Sequence, residues 1–107
     1  MDSGGLVKKG FANLWKGKEA VGGTLYLTEN SLLHKAHKMN IQTKDVEIKI
    51  NDIDRIDVYT SKVFGIPLVK NGLLVVDKMG KEYRFVVNGR EKWKQEIKKF
   101  YNDDGVL

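Results

Sequence analysis

The groups in this chain best suited to hold an anion are lysines, and two arrangements of them stand out. Lys16-Gly17-Lys18 sets two ammonium groups on either side of a glycine. Each is a compact cation with three donors, able to meet phosphate oxygens as a point charge. Glu19 follows at once, and the competing reading is an ordinary solvated turn. The second arrangement is Lys62-Val63-Phe64-Gly65-Ile66-Pro67-Leu68-Val69-Lys70, an apolar run bracketed by lysines. Read as a loop over 60–71, it would dip Phe64, Ile66 and Leu68, with Val63 beside them, into the headgroup boundary of a bilayer. Lys62 and Lys70 would then meet anionic lipid, at ~1 kcal/mol each. The competing reading folds the loop back over the domain or into a contact between two copies.

The remaining chemistry-bearing residues point less far. His34 and His37 are three apart, so on a regular strand they face opposite ways and cannot share a metal; they read as basic, pH-tuned surface. Asp52, Asp54 and Asp57 could supply paired carboxylates. No nucleophile accompanies them, and they read as turn chemistry and solubilising charge. Arg90, Lys92, Lys94, Lys98 and Lys99, with Lys81 and Arg84 before them, form a basic group interleaved with aromatics, as nucleic-acid binders have. Gly22-Gly23 lacks the following helix that a phosphate loop needs.

Composition narrows the classes. The chain has 107 residues, a formal charge of +5, 41% hydrophobic and 31% charged residues, which is a globular balance sufficient for one domain. With no cysteine and two histidines, disulfide scaffolds, thiol nucleophiles, zinc fingers and Fe–S sites drop out, and no cofactor or metal is expected. The start Met1-Asp2-Ser3-Gly4-Gly5 has no signal-peptide pattern, and the longest apolar run, Leu73 to Val76, is far too short to span a bilayer. A cytoplasmic protein, peripheral at the membrane, is the simplest expectation. The charge is uneven: an acidic segment over 45–57 lies between basic flanks. Such a polarised chain steers anions if its basic flanks meet in space.

The elements that must position these residues alternate with period 2. Strands are expected over Phe11–Lys16, Glu19–Thr28, Ser31–Lys38, Val46–Ile50, Ile53–Thr60, Gly72–Asp77 and Lys81–Val87, with turn residues between them. Gly22-Gly23 predicts a bulge or bend in the second strand. Pro67 speaks against a central strand in 60–71. Asn88 three residues before Glu91 predicts a helix cap. Trp93, Ile97, Phe100 and Tyr101 then recur at one apolar helical stripe, ending near Asn102. Because those aromatics must fill the core, base stacking from them, and so a nucleic-acid partner, is disfavoured. The expectation is a mainly β fold: a barrel of about seven antiparallel strands whose open end is plugged by a C-terminal helix.

The stretch Ala12-Asn13-Leu14-Trp15-Lys16-Gly17 and then Gly23-Thr24-Leu25-Tyr26-Leu27-Thr28-Glu29-Asn30-Ser31-Leu32-Leu33 resembles the start of a GRAM domain. The resemblance continues through Ile50-Asn51-Asp52-Ile53-Asp54-Arg55-Ile56, Asn71-Gly72-Leu73-Leu74-Val75, Gly80-Lys81-Glu82-Tyr83-Arg84-Phe85 and Arg90-Glu91-Lys92-Trp93. It implies a pleckstrin-homology-like fold of two near-orthogonal sheets and a capping helix over 11–101, with 1–10 an N-terminal extension and 102–107 a tail. It also implies a non-catalytic module that binds lipid head groups or peptides at membranes. The expected partner is anionic membrane lipid, through Lys16, Lys18 and the 62–70 segment. The alternative is a protein partner or a second copy, taken at a sheet edge or through 62–70.

Overall fold

The computed structural model describes residues 5–38, 44–63 and 66–101, without the side chains of 61–63 and 66–70. Seven strands, β1 (Leu6–Lys16), β2 (Glu19–Thr28), β3 (Ser31–Ala36), β4 (Val46–Lys49), β5 (Ile53–Val63), β6 (Ile66–Asp77) and β7 (Glu82–Val87), precede one helix, α1 (Arg90–Lys98). All pairings are antiparallel, in the order β4-β3-β2-β1-β7-β6-β5. The two halves, β1–β4 and β5–β7, join through Ala12↔Val87, Asn13↔Val86 and Leu14↔Phe85 into one ladder that curls into a half-barrel.

Alternation builds the core. Leu25, Leu27, Leu73, Val75 and Phe85 face inward and are buried, and the α1 residues Trp93 and Ile97 close over them as the apolar stripe requires. Phe100 and Tyr101 pack against the same cluster just beyond the helix. Burying such side chains contributes roughly 1.5–3 kcal/mol each, the main favourable term in folding.

Five expectations change, one being that the helix ends at Lys98 rather than near Asn102. The β1 strand begins at Leu6 rather than Phe11. The β1–β2 register runs unbroken through Gly22 and Gly23, and the bulge lies instead between Leu6 and Lys8. Gly23 is needed for close approach: a Cβ there would stand 2.3 Å from the Lys35 carbonyl oxygen and 2.7 Å from the His34 ring. The 60–71 segment is no free loop but the end of a β5–β6 hairpin, with Ser61↔Val69, Lys62↔Pro67 and Val63↔Ile66 paired after a register shift at Tyr59/Ser61. Because β6 meets β7 only from Gly72 to Val76, Pro67 sits where β6 has one neighbour, and a missing N–H is tolerated there. Finally, Gly89 rather than Asn88 caps α1. Its φ of 72° turns the chain into the helix and its carbonyl accepts from the Trp93 N–H at 3.0 Å. Asn88 accepts instead from Asn71 Nδ2 at 3.3 Å.

Candidate functional site

The β1–β2 turn is tight: Lys16 pairs with Glu19, and Gly17 takes the left-handed φ of 64° that an L side chain resists. Because β1 runs antiparallel to β7, the end of β1 comes to the start of β7. A cavity of about 420 Å³ opens there, lined by Lys16, Gly17, Val46, Lys81, Glu82 and Tyr83 among others. Lys16 Nζ donates to the Lys44 carbonyl at 2.8 Å, tying the β1–β2 turn to the segment that leads into β4. Lys81 Nζ lies 5.1 Å from the Tyr83 ring centre, a distance at which the ring face attracts a cation. Burial raises the Tyr83 phenol pKa, and the adjacent Asp77 carboxylate, to which its hydroxyl donates, raises it further. That phenol is a neutral hydrogen-bonding group at physiological pH.

Across the β6–β7 turn, Lys78 and Lys81 bracket Met79-Gly80 much as Lys16 and Lys18 bracket Gly17. Among the described residues the ion pairs are Arg55–Asp57, Arg84–Glu82 and Lys99–Glu96. None involves Lys16, Lys18, Lys78 or Lys81, so no carboxylate among the described residues neutralises these charges. This mouth is where the basic flanks meet.

A second cavity, of about 290 Å³, lies on the other side of Trp15 and is lined by Gly17, Tyr59, Glu82 and Arg84. Its cation is already answered, since Arg84 meets Glu82 at 2.6 Å. The Tyr59 ring lies over Gly72, where a Cβ would come within 2.6 Å of it, and its hydroxyl reaches across β6 to the Phe85 carbonyl at 3.2 Å. Burial raises the Tyr59 pKa, against the opposing charge of Arg84.

The expected site residues are distributed as follows. Lys16 lines the mouth and Lys18 stands exposed in the same turn. Phe64 lies outside the described residues, as do the side chains of Lys62, Val63, Ile66, Leu68 and Lys70. The backbone of 66–70 belongs to the start of β6, whereas the lysine mouth lies at its far end beyond Asp77. The two candidate groups therefore sit at opposite ends of one strand.

His34 is corrected outright. It is not surface but fully buried, with Nε2 donating to the Ala12 carbonyl at 2.9 Å and Nδ1 without a partner among the described residues. That bond fixes the tautomer, because a carbonyl only accepts. His37 is the exposed one, 3.0 Å from Thr24 Oγ1 and against the Phe11 ring. Arg90 also leaves the basic helix face and donates to the Tyr59 carbonyl at 2.5 Å. Lys81, read in the sequence as part of the basic group before the helix, instead meets Lys16, because register, not spacing along the chain, brings the two together. The signal available in sequence was the repeat of two lysines around a glycine turn.

Comparison with known proteins agrees with this fold. The GRAM domain model matches residues 3–91, and the chain belongs to the GRAM domain family. The fold is that of pleckstrin-homology domains. The C-terminal domain of an unknown protein from Leishmania infantum is similar with a TM-score of 0.75 at 13% identity, over 92% of this chain and 84% of that one. The N-terminal PH domain of human ARAP2 gives 0.68 at 15% identity, over 100% and 88%. The Slm1 PH domain solved with phosphoserine gives 0.67 at 18% identity, over 90% and 95%. No curated protein matches the sequence. Among the described residues no helix is long and apolar enough to cross a membrane.

Proposed function

We propose that this chain is a non-catalytic module that holds phosphorylated, anionic head groups at the mouth between its β1–β2 and β6–β7 turns. The observation that carries the reading is the convergence of Lys16 and Lys81 on one cavity, with Lys18 and Lys78 in the two turns they belong to and no carboxylate pairing with any of the four among the described residues. Glu82 also lines the cavity, but its carboxylate is taken by Arg84, so the lysine charge there is left to attract an anion. Family membership supports the same class of ligand, and Slm1 PH domains of the same fold have been solved with phosphoserine and with inositol-4-phosphate.

The alternative is a protein-interaction module that extends the sheet. The ladder does end in two edges, β4 and β5. On β5, however, the carbonyl of Asp54 already accepts from the Tyr101 hydroxyl and that of Tyr59 from Arg90. An added strand on β5 would have to displace both, which leaves β4 as the edge open to a partner strand and weighs against the β5 route.

Sedimentation with vesicles containing phosphatidylserine or a phosphoinositide tests it. The wild-type chain pellets with them, and Lys16→Glu/Lys18→Glu binds at least about tenfold more weakly, since each juxtamembrane cation is worth ~1 kcal/mol. Equal binding by the double variant, with both proteins folded, refutes the assignment of this mouth.

A further inference from the structure

We propose that the β6–β7 turn is a membrane-inserting knuckle, in which Met79 enters the headgroup–acyl boundary of an anionic bilayer between Lys78 and Lys81. The inference rests on the reading that the neighbouring mouth holds anionic head groups, and adds that a bilayer is engaged, not only a free phosphate.

Met79 is 92% exposed, far more than the other exposed large hydrophobics among the described residues, Phe11 at 59%, Leu6 at 54% and Val7 at 36%. Single apolar side chains on a surface are ordinary. Here three further observations coincide with the exposure.

The first is rigidity. Asp77 Oδ1 accepts from the Met79 and Lys81 amides, both at 2.9 Å, and the Gly80 amide donates to the Asp77 carbonyl at 2.9 Å. The Lys78 amide is held by the Asp52 carbonyl at 2.8 Å, and Gly80 takes a φ of 89°. A turn pinned at every residue cannot fold its tip back over the core. The fold gains almost nothing from a thioether held in water there, where a polar turn residue would serve.

The second is charge. Lys78 and Lys81 flank the tip directly, and Lys81 shares a cavity with Lys16. With Met79 at the acyl boundary, these ammonium groups would lie at phosphate depth, the arrangement by which an apolar anchor and a basic rim act together on anionic lipid. The third is the side chain itself: methionine is unbranched and polarizable, and adapts to an irregular apolar environment.

The absence of cysteine makes the test clean. A Met79→Cys protein carrying an environment-sensitive fluorophore should blue-shift on phosphatidylcholine–phosphatidylserine vesicles and not on phosphatidylcholine alone. A Gln95→Cys protein, labelled on the exposed helix face, should not shift on either. In parallel, Met79→Asp should bind the anionic vesicles about tenfold more weakly while melting as wild type and binding soluble inositol phosphate as wild type does. Wild-type vesicle affinity in Met79→Asp, or binding without a shift at the labelled tip, overturns the knuckle even if Lys16→Glu/Lys18→Glu abolishes binding. A wild-type chain that ignores both vesicles and inositol phosphate overturns the reading of the mouth, and the knuckle with it.

Discussion

At the scale of single residues, His34 is the most consequential side chain outside the mouth. Its ring is locked between the Ala12 carbonyl and the bare backbone of Gly23, and it lies 6.1 Å from the Phe85 ring. Burial lowers its pKa below the ordinary value; the Ala12 bond opposes this, Lys16 and His37 act in the same sense as burial, and Asp45 opposes. The unfolded chain takes up the His34 proton near its ordinary value of about 6.5, and the folded chain only below that. Unfolding therefore binds a proton in this window. Stability is full above about pH 6.5 and is lost as pH falls toward the lowered folded value. Melting temperatures measured across that window should fall with acid in the wild type and fall less steeply in His34→Gln. Parallel slopes in the two proteins would show that another group is responsible. His34 stands two residues after the buried Leu32 on one strand, and period 2 puts the two on one face, a signal of burial that the sequence does carry. Residue type argued for surface, and the donor bond to Ala12 that makes burial tolerable depends on a partner strand that spacing alone does not reveal.

At the scale of elements, α1 does more than plug the half-barrel. Arg90, in its first turn, reaches the Tyr59 carbonyl and, at 3.5 Å, that of Gly72, where the β5–β6 register shifts before the hairpin continues to 63 and 66. The helix start thus pins the root of the hairpin. Arg90→Ala should cost roughly 1.5–3 kcal/mol, the range for a hydrogen bond involving a charged group. Hydrogen exchange should quicken at Tyr59 and Gly72 while Leu25 and Leu27 stay protected. Unchanged exchange at the root would mean that strand pairing alone holds it. The strands of β2 and the α1 stripe were readable because alternation and the helical repeat are local patterns. The β5–β6 extension was not, because Pro67 signals a break unless it is known that β7 stops pairing at Gly72.

At the scale of the molecule, the uneven distribution of the +5 charge gains a spatial side. Summing charges along the chain separated basic flanks from an acidic middle. Only the β1–β7 and β6–β7 pairings bring Lys16 and Lys81, far apart in sequence, to one mouth. Exposed charges of this kind act over a Debye length of about 8 Å at physiological ionic strength. Vesicle binding should therefore weaken steadily as salt is raised, leaving a residue of affinity that salt does not remove if Met79 contributes apolar contact. Titrating sodium chloride in the sedimentation assay reads both components. Salt-independent binding would contradict the electrostatic part, and complete loss at high salt the apolar part.

The Tyr59 ring lying flat on Gly72 carries an implication for descent. Any side chain gained at position 72 collides with the ring, and loss of the ring uncovers a strand that glycine leaves bare. Neither change is neutral while the other residue stays. The two positions should therefore change together in descent, and lineages that abandon one should be found to have remade both.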